Sequence, residues 1–365
     1  MLGRKKGMDA VGVVPLTVLM RYGTFHLIGS PSMAPAADRF GETLAHIDLA
    51  DELGFDTVWV AEHHFSNYGY SANPLLLIAR ASASAHRVRF GQAVIVTPFW
   101  HPLRLAEDIA IADLLTDGRL EIGLGRGYQP LEFRGLDVDQ NQSRALFEEQ
   151  FEVMRLAWTA DDFTFDGRHF PVRHPITVLP RPLQQPHPPI WLAVQSQTSL
   201  DWAAAHGCDI ILSGSSTAWD ELPAWTERFL ARRAAAPDDA TRAPRIGMLR
   251  HVLVTETEAE ARAALWQSRW QRGVAERLRL GEERITGGRN SLDGFEQSMS
   301  EDAWWDRVVY GTPDWCIAQL KRQAALGVTD VLAWFDIGGL PAETVQRSMR
   351  LFAEEVVPAV APAYA

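Results

Sequence analysis

The chain has 365 residues, of which 47% are hydrophobic and 22% are charged, the balance typical of a globular protein with a large core. The net charge of −11 argues against a nucleic-acid partner, because phosphate backbones bind concentrated basic surfaces. The two cysteines, Cys208 and Cys316, form no CxxC pair, and we expect buried thiols in a cytoplasmic protein. No apolar run approaches the roughly 18 residues of a membrane span.

The first 19 residues differ in character from the rest of the chain. Arg4, Lys5 and Lys6 precede an apolar stretch that resembles a signal peptide only faintly, because Gly12 and Pro15 interrupt it. Residues 1–19 are therefore predicted to be an extension without ordered structure, and residues 20–365 a folded domain.

Short apolar runs alternate with longer amphipathic stretches along the chain. In order, strands are predicted at 22–27, 57–61, 88–96, 120–124, 189–194, 210–212, 246–255 and 330–335. Helices are predicted at 39–53, 74–85, 102–115, 144–158, 199–206, 219–235, 258–269, 313–326 and 341–356. Buried strands separated by helices indicate βα units and a parallel sheet.

Eight such strands favour closure into a single (β/α)8 TIM barrel, with a doubly wound open sheet as the alternative. Two segments interrupt the repeat and are predicted to be loop insertions. The first, near 160–185, includes a predicted hairpin at 163–170 around Asp166-Gly167. The second, 267–311, is charged, is predicted to be irregular, and is a candidate lid.

The tripeptide Glu62-His63-His64 directly follows the second predicted strand. Barrel enzymes carry their active sites at the carboxyl ends of the strands, so this position favours function. Adjacent histidines point in different directions, and only one is expected to face the pocket. A pair of structural histidines is an equal alternative from these residues alone. No metal site is predicted, although His101 follows the third strand, because the spacing of a zinc motif is absent.

A glycine-rich turn, Gly123 to Tyr128, lies at the end of the fourth predicted strand. Glycines let main-chain N–H groups approach a phosphate, and Arg126 between them can add a bidentate contact. A simple tight turn is the alternative. The turn does not match the GxGxxG dinucleotide motif.

The segment from Gln195 to Ser199 links the fifth predicted strand to a helix. Serine and threonine at such a position usually cap the helix. The same helix start binds anions when a phosphate is present. Arg144, at the start of an earlier helix, offers a second positive charge, so two phosphate-binding loops are expected at one mouth.

Several motifs in order resemble the bacterial luciferase-like monooxygenases, over roughly residues 20–357. They are Val60-Ala61-Glu62-His63-His64-Phe65, Ser71-Ala72-Asn73-Pro74, Gly91-Gln92-Ala93-Val94-Ile95-Val96, His101-Pro102-Leu103-Arg104-Leu105-Ala106-Glu107-Asp108, Asp117-Gly118-Arg119, Gly125-Arg126-Gly127-Tyr128, Ser143-Arg144-Ala145, Trp202-Ala203-Ala204-Ala205-His206-Gly207 and Gly311-Thr312-Pro313.

The resemblance implies a barrel that binds FMN at its mouth. Matching positions assign the FMN phosphate to Arg126, the Tyr128 main chain, Arg144, Ser196 and Ser199. A cis peptide beneath the flavin ring would join Ala93 and Val94, and Gln195 would lie near the cofactor. His63 would act beside the flavin as a base or hydrogen-bond donor.

Two positions depart from luciferase. Gly125 stands where luciferase has a reactive cysteine, and Gln195 stands where it has a glutamate. The first change makes light emission an unexpected outcome but leaves oxygen insertion open. The second removes a negative charge beside the cofactor.

The resemblance therefore implies an FMN-dependent monooxygenase that oxygenates a small hydrophobic substrate with dioxygen through a flavin hydroperoxide. A separate NAD(P)H flavin reductase would supply reduced FMN, and a homodimer is expected. Two alternatives stay open. One is a deazaflavin-dependent oxidoreductase of the same fold, and the other is a non-catalytic flavin-binding protein.

Overall fold

The computed structural model describes residues 20–236 and 243–360. Its strands are β1 (Arg21–His26), β2 (Thr57–Val60), β3 (Arg89–Gln92), β4 (Ile95–Val96), β5 (Leu120–Gly125), β6 (Phe163–Phe165), β7 (Val172–Ile176), β8 (Ile190–Ala193), β9 (Asp209–Ser213), β10 (Ile246–Val254), β11 (Ile285–Thr286), β12 (Arg289–Asn290), β13 (Val309–Gly311) and β14 (Asp330–Trp334).

The helices run between and around these strands. They are α1 (Ala36–Leu53), α2 (Pro74–Ala81), α3 (Pro102–Leu115), α4 (Pro130–Gly135), α5 (Ser143–Thr159), α6 (Gln197–Ala205), α7 (Leu222–Ala234), α8 (Glu258–Ala263), α9 (Leu265–Leu280), α10 (Glu301–Trp305), α11 (Pro313–Ala325), α12 (Ala342–Leu351) and α13 (Val357–Val360).

Eight parallel strands close into a barrel, as predicted. The order is β1, β2, β3, β5, β8, β9, β10 and β14, and β14 pairs again with β1. The strand β2 is buried along its whole length, which is expected where a parallel sheet is covered on both faces. Inside the barrel, Trp59 and Trp191 meet edge to face with their ring centroids 5.3 Å apart. These large side chains fill the interior, so the barrel is a packed core and not a pore.

Local sequence signals explain several element boundaries. Asn73 caps α2, because its side chain accepts hydrogen bonds from the N–H groups of Leu75 and Leu76, and Pro74 occupies the first helical position. The helix ends at Ala81, earlier than predicted. The third predicted strand is divided at Ala93–Val94 into β3 and β4.

The largest error in the predicted elements concerns residues 267–311. Their first part is not irregular, because α9 is a regular helix of 16 residues that ends at Gly281 in the left-handed conformation. Its many charged residues are good helix formers, and buried Val274 and Leu278 recur four positions apart. The predicted helix at 258–269 is divided between α8 and α9.

The remaining predictions about organisation have mixed outcomes. The first insertion contains the antiparallel pair β6 and β7, so the predicted hairpin exists, but its second strand begins at Val172, beyond the predicted end at residue 170. Cys208 and Cys316 are both buried. Within residues 20–236 and 243–360, no helix has the length and apolar character to cross a membrane. Residues 1–19 lie outside the described residues, so the predicted extension stays a prediction. The single-domain organisation and the cytoplasmic location also stay predictions.

Candidate active site at the carboxyl end of the barrel

Arg126, Arg144 and Ser199 line one pocket at the carboxyl end of the barrel. Arg126 directly follows β5, Arg144 lies in the first turn of α5, and Ser199 lies in the first turn of α6. The other lining residues are Phe147, Glu148, Leu192, Ala193 and Trp202. Three segments far apart in sequence therefore meet where the sequence analysis expects a phosphate.

Ser196 and Ser199 form a reciprocal cap at the start of α6. The Ser196 hydroxyl accepts from the Ser199 N–H at 3.2 Å, and the Ser199 hydroxyl accepts from the Ser196 N–H at 3.2 Å. The first-turn N–H groups of a helix have no helical acceptor and carry a partial positive charge. The start of α6 thus has the features of an anion site beside the two arginines. Gln195 precedes it and is exposed.

The charge of this pocket suits a phosphate. Arg144 pairs with Glu148 at 3.1 Å, whereas the Arg126 side chain makes no close salt bridge with a described residue and is attracted by Glu148 only at longer range. Partial burial and then the positive charge of Arg144 lower the pKa of Arg126. Two guanidinium groups and one carboxylate leave a net positive site, which a phosphate dianion would neutralise.

The glycines around Arg126 are required by close contacts. A Cβ atom on Gly125 would lie 2.4 Å from Cγ2 of Val94. Gly127 has a φ of +78°, and a Cβ there would lie 2.8 Å from Cγ1 of Val96. The peptide bond between Ala93 and Val94 is cis, as the resemblance implies. The turn that carries Arg126 therefore packs directly against Val94 and Val96, which follow the cis bond.

His63 is held by polar groups from the segment after β5. Its Nδ1 lies 2.9 Å from Glu132 Oε1 and 2.9 Å from the Gln129 amide nitrogen. The imidazole meets the rings of Tyr68 and Tyr128 edge to face, with centroids 4.8 Å and 5.9 Å away. The tautomer decides which neighbour bonds to Nδ1, since a protonated Nδ1 donates to Glu132 and an unprotonated Nδ1 accepts from the Gln129 amide. In the tautomer that pairs with Glu132, Nε2 is the atom left to act on a ligand.

The sequence analysis missed Glu132. It lies on the short helix α4, is 1% exposed, and also accepts a hydrogen bond from the His64 N–H at 3.0 Å. Its Oε2 atom has no hydrogen-bond partner among the described residues. Pro130 after Gln129 is the available signal, since proline is common at the first position of a helix.

His64 points away from His63, as expected for adjacent histidines. Its Nε2 contacts Glu62 Oε1 at 3.1 Å, and Glu62 also accepts from the Val96 N–H and the Trp100 indole. Burial disfavours the charged imidazole, but the hydrogen bond and charge of Glu62 outweigh burial and raise the pKa of His64. We assign His64 to structural support of the loop.

The second insertion covers the mouth of the barrel. Val274 and Leu278 of α9 are buried in one apolar cluster with Tyr68 and Trp334. The tip of the insertion is attached by Asn67, which is fully buried. Asn67 Oδ1 accepts from the N–H and the side-chain amide of Asn290, both at 2.9 Å, and Asn67 Nδ2 donates to the Ser30 carbonyl at 3.0 Å.

Within the described ranges, no group of three histidine, cysteine or acidic residues could hold a metal ion. His101, the third ligand considered in the sequence analysis, lies apart from His63, in a separate pocket beside Phe170 and the hairpin of β6 and β7.

Comparison with known proteins decides the family. A model of the luciferase-like monooxygenases matches residues 20–330. The chain belongs to this family of enzymes. Over 350 residues it is 27% identical to the oxygenase component of a flavin-dependent trigonelline monooxygenase from Acinetobacter baylyi, with 93% of this chain and 95% of the relative covered.

Solved structures agree on the fold. The monooxygenase RslO1 from Streptomyces bottropensis is 30% identical, with a TM-score of 0.80 over 94% of this chain and all of that one. Two more distant structures share the fold. They are the oxygenating constituent of 3,6-diketocamphane monooxygenase from Pseudomonas putida in complex with FMN (18% identity, TM-score 0.76, covering 93% and 98%) and an F420-dependent secondary alcohol dehydrogenase (17% identity, TM-score 0.74, covering 94% and 99%).

Most of the sequence-predicted site residues are brought together. Arg126, Arg144 and Ser199 share the pocket, and Ser196 joins it through its hydrogen bonds to Ser199. Tyr128 follows Arg126 by two positions and contacts His63. Gln195 is exposed, and its side chain makes no hydrogen bond with other described residues.

Proposed function

We propose that this enzyme is an FMN-dependent monooxygenase that uses reduced flavin and dioxygen to oxygenate a small, largely hydrophobic organic substrate. The convergence of Arg126, Arg144 and Ser199 on one positive pocket carries the proposal. A flavin mononucleotide ends in a phosphate, and the unpaired guanidinium of Arg126 fits that group. The flavin-dependent relative from Acinetobacter baylyi supports the same cofactor class.

The binding roles follow from position. Arg126, Arg144, Ser196, Ser199 and the Tyr128 main chain would hold the phosphate. Ala93 and Val94 would lie beneath the flavin ring, because Val94 packs against Gly125 next to Arg126. Gln195 would border the cofactor from the exposed side. When bound, reduced FMN would supply the two electrons that activate dioxygen, one atom of which is transferred to the substrate while the other leaves as water.

His63 would handle the proton that such a transfer requires. Its Nδ1 is held by Glu132, so its Nε2 accepts or donates a proton without the ring turning. Helix α9, whose Val274 and Leu278 pack in an apolar cluster, would exclude water from the place where oxygen is transferred.

Two protein partners belong to the proposal. A separate NAD(P)H flavin reductase would supply reduced FMN, as the name "oxygenase component" of the relative supports. A second copy of this chain would pack on α2 and α3, which expose Leu76 (70%) and Leu115 (56%). Light scattering tests the homodimer, because replacing Leu115 with glutamate should leave a monomer, and a wild-type monomer would refute it.

The competing cofactor is a deazaflavin, which one structural neighbour binds in the same fold. A deazaflavin transfers hydride and does not activate dioxygen. We would add chemically reduced FMN or reduced deazaflavin to the protein with a panel of substrates under 18O-labelled dioxygen. The proposal requires labelled product with FMN alone. Hydride-transfer products with deazaflavin, or bound flavin without any oxidation, would replace it by one of the two alternatives.

A further inference from the structure

Helix α9 presents one amide side chain to the interior of the mouth. Gln271 is 1% exposed and lies on the same helical face as Val274 and Leu278, at a spacing of three and seven positions. Those two residues belong to the apolar cluster that includes Tyr68 and Trp334. Gln271 is therefore a polar group placed at the centre of an apolar cover.

The amide of Gln271 is incompletely satisfied. Neither its oxygen nor its nitrogen makes a hydrogen bond of ordinary geometry with a described residue, and its one polar neighbour is the Tyr68 hydroxyl, which it contacts weakly. It lies beside the phenol of Tyr68, and its Oε1 would be 3.5 Å from a Cβ atom on Gly29. Buried amide atoms without partners are destabilising, so their retention at this place needs a compensating role.

The surroundings define what such an amide can recognise. The Tyr128 hydroxyl donates to the Tyr68 hydroxyl at 3.3 Å, and both rings contact His63. The ring of Tyr68 therefore lies between Gln271 and His63, the residue assigned to proton transfer. Burial raises the pKa of Tyr68 to about 12, so it is a neutral hydroxyl near pH 7. Neutral donors and acceptors in an apolar cluster suit a neutral oxygen atom and not an ion.

We propose that Gln271 is a specificity-determining residue that hydrogen-bonds a carbonyl or hydroxyl oxygen of the substrate beneath α9. The substrate class is then a neutral, largely apolar organic molecule that carries such an oxygen before the reaction, and a plain hydrocarbon is excluded. The inference rests on the proposed function, because that function places an organic substrate at this mouth.

The chain supplies a matched control for this idea. Gln323 on α11 is also fully buried, and both of its amide atoms also lack partners among the described residues. Helix α11 packs on the outside of the barrel, next to β13. A merely structural effect of an unsatisfied glutamine should appear equally at both positions, whereas substrate recognition belongs to Gln271 alone.

The test compares 1-tetralone with tetralin, two probes that differ only in a carbonyl group. Their dissociation constants are measured by equilibrium dialysis, without turnover, on wild type, Gln271→Met and Gln323→Met. We expect the ratio of tetralin to tetralone dissociation constants to fall about ten-fold in Gln271→Met, the size of one hydrogen bond, and to stay unchanged in Gln323→Met. Methionine matches glutamine in length and favours helix, and thermal unfolding verifies that both variants fold.

Three results overturn the proposal: wild type fails to bind 1-tetralone, Gln271→Met keeps the wild-type ratio, or Gln323→Met changes the ratio as much as Gln271→Met does. FMN affinity is titrated on the same samples. A wild type that does not bind FMN refutes the proposed function, while the tetralone ratio still reports on Gln271, so the two failures are distinguishable.

Discussion

The two ends of the barrel differ in how completely their buried polar side chains are paired with other residues. At the amino end, Glu121 is 1% exposed and accepts from Arg89 at 2.7 Å, Arg245 at 3.2 Å and the Trp191 indole at 2.6 Å. Arg21 joins the same carboxylate at 3.4 Å. Every member has a partner, and the cluster joins β1, β3, β5, β8 and the start of β10.

At the carboxyl end, several polar groups are left without close partners. The Arg126 guanidinium makes no close ion pair, Glu132 Oε2 is unpaired among the described residues, and the Gln271 amide has only the Tyr68 hydroxyl nearby. The contrast teaches that the chain itself satisfies the polar cluster at one end, while the other end keeps polar groups open where the proposed ligands would bind. Stability should depend on the first end and activity on the second.

The largest expected effect is on turnover. Replacing His63 by alanine removes the proton-transfer group, and turnover should fall by about 10² to 10⁴-fold. FMN affinity should stay within about two-fold, because the phosphate pocket is untouched. Stopped-flow oxidation and flavin titration measure the two quantities. His101→Ala is the control, since His101 lies in another pocket. Full activity of His63→Ala would remove its assigned role.

The next effect is on stability at the amino end. Glu121→Gln leaves three arginines around a neutral amide, and the free energy of unfolding should fall by about 3 kcal/mol. Denaturant unfolding measures it. Glu107→Gln breaks only an exposed pair with Arg104 and should cost about 0–1 kcal/mol. Equal losses in the two variants would contradict the division of labour between the ends.

A smaller effect is expected on cofactor affinity. Arg126→Ala should weaken FMN binding by about 10 to 100-fold, the range for a charged hydrogen bond, with the free energy of unfolding unchanged within about 0.5 kcal/mol. Arg155→Ala on the exposed side of α5 is the charge-matched control. Isothermal titration measures the FMN affinity of both variants. An Arg126 variant with wild-type FMN affinity would refute the assignment of Arg126 to the phosphate.

The smallest expected effect is on the pH dependence of the free energy of unfolding. Burial, and then the charges of Arg250 and Arg272, lower the pKa of His251 to about 3. An unfolded histidine titrates near 6.5, so the unfolded chain binds the extra proton between pH 6.5 and 3, and stability falls as the pH falls through that window. His251→Phe should reduce this slope by up to about 1.4 kcal/mol per pH unit. Denaturant unfolding at pH 7 and pH 5, with exposed His86→Phe as control, measures it; an unaltered slope would refute the assignment.

The sequence was sufficient where the signal is local. Asn73-Pro74 predicts the start of α2, and glycines on both sides of Arg126 predict the turn after β5. The serine and threonine residues after the fifth predicted strand predict a helix start, and Ser196 and Ser199 cap α6 there. In each case, neighbouring residues alone determine the backbone geometry.

The sequence was insufficient where a residue matters through distant contacts. Glu132 is an ordinary glutamate until the fold brings it to His63, 69 positions earlier in the chain. Gln271 is recognisable only in the folded structure, where its amide is buried without a hydrogen bond of ordinary geometry. The many charged residues of α9 predict an irregular segment from sequence, and its apolar face is evident only in the structure, where Val274 and Leu278 pack at the mouth.

The attachment of the cover through Asn67 has a consequence for exchange of molecules with solvent. Two side-chain hydrogen bonds from Asn290 and one from the Asn67 N–H to the Gly288 carbonyl join the tip to the barrel, and all three lie outside its strand ladder. Each such bond contributes only about 1 kcal/mol, so the tip can be released while all eight strands stay paired. Movement of the tip therefore requires no unfolding of the scaffold.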